Sequence, residues 1–185
     1  ITIMKKILND SLLKTLELNE ISNIHFYQVN FSWLKFTWKI FTDCIFEKCN
    51  LSNVDLKNTT FNNIEFTNSK IMWLKFVDIN QHLSNFNFKD CNISLTSFYG
   101  VNLKNTNFDD CEIKESDFNN SDLENANFNY CNLEKSLFVN CNLKKTNFIW
   151  SYNFSIDPNN NKLNKTRFSR ENCIWLLNNF DIIID

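Results

Sequence analysis

The chain has almost none of the residues that usually make turns: one glycine, Gly100, and one proline, Pro158, in 185 residues. Turns built on positive φ normally recruit glycine, so this chain must turn without it, which argues against an ordinary hairpin or sandwich protein. Arginine occurs only at Arg167 and Arg170, and histidine only at His25 and His82. No apolar run could span a bilayer, and in "ITIMKKILND" Asn9 and Asp10 interrupt before a signal-peptide core can form. A soluble cytoplasmic protein without a membrane partner is the expectation. The sequence holds no Ser/His/Asp grouping, no glycine-rich phosphate loop and no histidine near a cysteine. No catalytic residue, cofactor or metal is expected, and the chain reads as a non-enzyme. What it does have is 43% hydrophobic residues and 19 phenylalanines, enough for one folded domain with a sizeable core.

Those phenylalanines are periodic. Leu83, Phe88, Ile93, Phe98, Leu103, Phe108 and so on to Phe148 recur at every fifth residue without a slip. Neither the helix period of 3.6 nor the strand period of 2 chooses that spacing. Two residues before most centres sits a small side chain, such as Thr96, Thr106, Ser116, Ser121 and Ala126, with a polar residue between. Small-in, polar-out, large-in is a three-residue β segment, and the two polar residues that follow make a corner. Taking every twentieth residue sorts the centres by type: Phe88, Phe108, Phe128, Phe148; Ile93, Ile113, Leu133; Phe98, Phe118, Phe138; Leu83, Leu103, Leu123, Leu143. Like stacks on like if four pentapeptides close one coil and coils lie about 4.8 Å apart.

The earlier half keeps the rule in another phase, from Phe26 through Phe31, Phe36, Phe41, Phe46, Leu51, Leu56, Phe61, Phe66 and Ile71 to Phe76. Phe76 and Leu83 are seven apart, so two extra residues lie within "VDINQH". The expected organisation is a lead-in over 1–23, a first stack over 24–76, a bulge over 77–82, a second stack over 83–150 and a C-terminal module over 151–185. Four centres per coil give roughly six coils, a rod of roughly 29 Å. Six of the seven cysteines (Cys44, Cys49, Cys91, Cys111, Cys131, Cys141) fall at the small inward position. Packing explains them better than disulfides or zinc.

The small-polar-large pattern, as in "SDLEN" (121–125) and "ANFNY" (126–130), resembles the A(D/N)LXX signature of pentapeptide-repeat proteins. That resemblance implies an all-β solenoid, a right-handed quadrilateral β-helix, over residues 24–150.

After Phe148 the pattern changes. Pro158 and the following asparagines read as a turn, Ser169 as the N-cap of a helix over about 170–180, and "DIIID" as a short strand. Such a module would blunt the open strand edges of a solenoid end, and its apolar residues exceed what one end needs. Phe168, Cys173, Ile174, Leu176, Leu177, Phe180, Ile182, Ile183 and Ile184 are therefore the expected homodimer interface. The tail, through Asp157-Pro158, Asn161, Lys162, Phe168-Ser169, Leu176-Leu177 and the isoleucine-rich end, resembles the dimer module of the Qnr and microcin-B17-immunity branch of the family. That resemblance implies a rod-shaped dimer that imitates B-DNA and binds DNA gyrase or topoisomerase IV, protecting it from quinolones or a peptide toxin, with no direct nucleic-acid contact.

Charge points to where a partner would sit. Residues 83–150 carry nine Asp or Glu against six Lys, while 24–78 carry five against six. Asp109, Asp110, Glu112, Glu115, Asp117, Asp122 and Glu124 crowd into less than one coil, an acidic belt that would stand in for phosphates. The net charge of the chain is only −2, so any imitation of DNA is local. The alternative is an adaptor solenoid that binds an unrelated protein through the corner tryptophans Trp33, Trp38 and Trp73.

Overall fold

The computed structural model describes residues 5–7, 16–177 and 182. Seven short strands, β1 (Lys5–Ile7), β2 (Glu20–Ser22), β3 (Ile24–Tyr27), β4 (Ile40–Glu47), β5 (Thr60–Thr67), β6 (Phe86–Lys89) and β7 (Phe108–Asp109), form one parallel sheet. Its register advances by one coil at a time: Phe41 pairs with Phe61 and Phe46 with Phe66, twenty residues on. Isolated parallel bridges continue the stacking on every side, as in the series Asn92, Glu112, Asn132, Tyr152. The molecule is a four-sided β-solenoid whose core is its axis.

Each side chain of the repeat has a physical task. The large centres form ladders: Phe26, Phe46, Phe66, Phe88, Phe108, Phe128, Phe148 and Phe168 stack with ring centroids 4.7–5.4 Å apart. A second column, Phe76, Phe98, Phe118 and Phe138, stacks at 4.7–4.9 Å. The columns meet edge to face, Phe108 against Phe118 at 5.9 Å and 87°, the geometry that ring quadrupoles favour. The small inward residues donate to the carbonyl of a centre in the preceding coil, Ser116 Oγ to Ile93 at 2.8 Å and Thr146 Oγ1 to Leu123 at 2.8 Å. The outward Asn or Asp caps the corner that follows, as Asn50 Oδ1 does by accepting the Ser52 N–H at 3.1 Å. Small, polar and large thus each satisfy a different requirement of one coil.

The solenoid departs from expectation at four places. It begins before residue 24: β2 pairs with Ile40–Thr42, and Ile21 is buried. Lys39, at an inward small position, is accommodated because its ammonium donates to the carbonyls of Leu16 and Leu18, at 2.5 and 2.9 Å. The interruption is longer than 77–82, with 3₁₀ turns at Phe76–Asp78 and Gln81–Leu83. Leu83 is consequently not a core centre, being 64% exposed, while Phe86 fills the axis at 5% exposure and packs on Phe76 at 5.1 Å. Ser84 and Asn85 repair the edge, the Ser84 hydroxyl accepting the Phe61 N–H and the Asn85 N–H donating to the Phe61 carbonyl.

Finally, the coil continues past 150. Lys162 bridges to Asn142 and Arg167 to Asn147, and Phe168 adds one more ring to the column beyond Phe148. Among the described residues of the expected helix, the segment Cys173–Leu177 is 3₁₀, and 178–180 lie outside the described residues. Ser169 Oγ does accept the Asn172 N–H, at 3.2 Å. Asn172, buried, donates to the carbonyls of Phe148 and Ser151 at 2.6 and 2.9 Å, so the segment is pinned onto backbone acceptors of the last coil.

Candidate interaction surfaces

The corners display what the solenoid offers to others. Residue i+2 of nearly every repeat has φ between +51° and +66°, the left-handed region. Its N–H donates to the next coil and residue i+3 closes a turn back to the centre, as Trp33 does to Ser52 at 3.1 Å and Leu34 to Phe31 at 3.0 Å. This is the type II turn, which normally asks for glycine or asparagine at that position. Twenty-five non-glycine residues take the left-handed conformation here, some in hydrogen-bonded turns like that at Trp33 and others in open corners like that at Trp73, and they include Trp33, Trp38, Trp73 and Trp150, four of the five tryptophans. The scarcity of glycine therefore reflects a fold that holds ordinary residues at positive φ.

Trp33 and Trp73 occupy one edge two coils apart, with Asn53 between, and Trp38 begins the next edge. Trp33 is 76% exposed, Trp38 68% and Trp73 50%. Their edges flank Lys35 and Lys75, which share a side with Asp55, and Asp55 is held by Thr37 Oγ1 at 3.2 Å and by the Lys57 N–H at 3.0 Å.

The acidic residues divide by environment. Sixteen consecutive residues cover just over three of the four sides, so 109–124 run around the rod rather than forming a strip along it. Glu112 is paired with Lys114 at 3.2 Å and bonded by Asn132 Nδ2 at 3.1 Å. Lys104 reaches both Asp122 and Glu124, and Lys144 reaches Glu124 at 3.3 Å, which holds the Glu124 carboxyl below its usual range. Asp117 caps its own corner by accepting the Asn119 N–H at 2.9 Å. Asp109, Asp110 and Glu115 have no cationic nitrogen within 4.0 Å among the described residues. Asp110 stands one coil from Asp90 on the same edge, a neighbour that a linear reading of the belt leaves out.

In the C-terminal module the expected interface splits. Phe168 stacks on Phe148 at 5.4 Å, and Leu176 packs against the core, so these two seal the rod end. Cys173, Ile174, Leu177 and Ile182 are exposed. Phe180, Ile183 and Ile184 lie outside the described residues.

Six of the seven cysteines sit inside. Burial pushes the Cys44 and Cys141 thiols up to about 11 and Cys49 to about 12, and also raises Cys91 and Cys111. They are proton donors to carbonyls, Cys131 Sγ to Phe108 at 2.8 Å for example, and poor nucleophiles. Among the described residues no three His, Cys, Asp or Glu converge where a metal ion could be held, and no helix is long and apolar enough to cross a membrane.

Fold and surface together define a parallel β-solenoid of five-residue sides, a repeat rod whose exposed edges carry its chemistry. The chain belongs to the pentapeptide-repeat family: models described as "Pentapeptide repeats (8 copies)" and "Pentapeptide repeat region" match residues 41–71 and 79–148, together more than half of it. No curated protein matches the chain. Among solved structures it is similar to QnrB1, a plasmid-mediated fluoroquinolone resistance protein, at 16% identity over 100% of this chain and 98% of that one, with a TM-score of 0.38. It is also similar to HetL, involved in heterocyst differentiation regulation in the cyanobacterium Nostoc, at 11% identity, covering 80% and 84%, with a TM-score of 0.43. Rfr23 from the cyanobacterium Cyanothece matches at 13% identity over 86% and 95%, with a TM-score of 0.39.

Proposed function

We propose that the protein is a non-enzymatic DNA mimic that binds DNA gyrase or topoisomerase IV, and thereby protects the enzyme from a quinolone or peptide toxin or modulates it. The observation that carries this reading is the set of carboxylates Asp90, Asp109, Asp110 and Glu115 on two adjacent edges, none with a cationic nitrogen within 4.0 Å among the described residues, Lys89 being the ladder neighbour of Asp109. Two coils span about 10 Å, over which duplex DNA bears about six charges. Four carboxylates are of the same order, although the chain as a whole is nearly neutral. The tail's resemblance to the topoisomerase-binding branch supports the same partner. The test is a gyrase supercoiling assay with purified protein, with and without a fluoroquinolone. The wild type should change supercoiling or drug-induced cleavage, and Asp90→Asn, Asp109→Asn, Asp110→Asn and Glu115→Gln combined should abolish the change. No effect of the wild type at micromolar excess sinks the reading.

A second reading is favoured by the exposure of Trp33, Trp38 and Trp73. In it the rod is an adaptor that anchors an unrelated protein on these rings. Replacing all three by Asn, the residue many corners already use, removes that binding and leaves any gyrase effect intact.

A further inference from the structure

The edge that carries Asp90 and Asp110 carries Tyr130 and Trp150 at the same corner of the next two coils. Tyr152 lies beside them, outward on the adjoining side, in the column of Glu112 and Asn132. Tyr130 is 52% exposed, Trp150 49% and Tyr152 42%. At other corners this position is held by Asn120, Asn125 or Asn140, residues that tolerate the left-handed region better and leave no apolar surface in water. Rings and carboxylates share one local field: burial, and then the charge of Glu112, keeps the Tyr152 phenol above its usual pKa, with Asp110 adding to the effect and Lys114 opposing it. Of the lysines near this edge, Lys114 is already engaged by Glu112 and Glu134, and Lys89 lies at the Asp90 end as the ladder partner of Asp109, away from the rings.

We infer that the edge from Asp90 to Trp150 is an anchoring strip for a protein segment that presents arginine. Guanidinium planes stack on the Tyr130 and Trp150 rings, while Asp90 and Asp110 accept their N–H groups. A lysine ammonium obtains the charge but little of the stacking, and a nucleic acid is repelled by the aspartates. The inference rests on the reading that this acidic edge faces a basic protein surface, and it states which side chain that surface must supply.

The probe is a fluorescein-labelled decapeptide of alternating arginine and glycine, compared with its lysine twin by fluorescence anisotropy on the full chain. The wild type should bind the arginine peptide about tenfold more tightly than the lysine one. Tyr130→Asn with Trp150→Asn should erase the preference without lowering the melting temperature, because the corner accepts asparagine. Trp150→Leu, which keeps apolar bulk without a ring face, should reduce it as well. Asp90→Asn with Asp110→Asn should weaken both peptides alike and flatten their salt dependence. Equal affinity of the wild type for the two peptides overturns the inference, as does a preference that survives loss of both rings. Arginine preference without any gyrase effect removes the topoisomerase reading and keeps this one, and a gyrase effect untouched by the ring variants does the reverse.

Discussion

At the scale of single residues, the inward thiols show how far the axis is from water. A thiol whose pKa is raised by folding keeps its proton in the native state when the unfolded chain has released it. Between the ordinary value of 9.0 and the raised values of about 11 for Cys44 and Cys141 and about 12 for Cys49, the native chain binds more protons than the unfolded one. Stability therefore falls with rising pH over that window, by about 1.4 kcal/mol per pH unit for each such thiol. The contribution is complete below pH 9 and lost as the pH passes through 11–12. Thermal unfolding in a reducing buffer should show a steep decline in Tm from pH 9 to pH 11, flatter in a Cys44→Ala, Cys49→Ala, Cys141→Ala variant. Parallel slopes in the two proteins would remove burial of the thiols as the cause. That these residues point inward was legible from their place two before each centre. The backbone at the corners was not. Sequence names the residue at i+2, but its positive φ costs about 1–2 kcal/mol outside glycine and is held at most corners by an N–H bond to the next coil, a tertiary fact.

At the scale of the coil, the ladders of like residues were legible because period five multiplied by four sides sorts Phe onto Phe, and the stacked rings follow that sorting. The register through the interruption was not. Leu83 and Phe86 are both large and apolar, and arithmetic in fives selects the first. The 3₁₀ turn at Gln81–Leu83 turns Leu83 outward, and the pairing of Ile64 with Phe86 places the second on the axis. The two positions should answer mutation very differently. Leu83→Ser is expected to change unfolding free energy by less than about 0.5 kcal/mol, and Phe86→Ala to cost about 3–5 kcal/mol. Urea unfolding of both variants checks it, and comparable costs would restore Leu83 to the core. The surroundings of the acidic belt were not legible for a related reason. Seven carboxylates close in sequence run around the rod within less than one coil, whereas the neighbours that matter for an edge lie twenty residues away, as Asp90 and Asp110 do just beyond β6 and β7.

At the scale of the whole molecule, the ends of a one-dimensional stack decide whether it stays single, since each coil satisfies its strand groups only through its neighbours. Asn172, Phe168, Trp175 and Leu176 close the C-terminal end by hydrogen bonding and packing on the last coil. Closure uses one side of the Cys173–Leu177 segment and leaves Ile174, Leu177 and Ile182 in water. An apolar surface left over after the end is sealed is what a second copy would cover, so we propose a dimer through these residues rather than through Phe168 or Leu176. Light scattering of the full chain should give twice the chain mass, and Ile174→Asp with Leu177→Asp should give the monomer with its melting transition retained. Phe168→Ala should act in the opposite manner, lowering the melting temperature by removing the last ring of the ladder without first separating the copies. A wild type that scatters as a monomer at all concentrations excludes the dimer, and the topoisomerase reading then has to be met by a single rod.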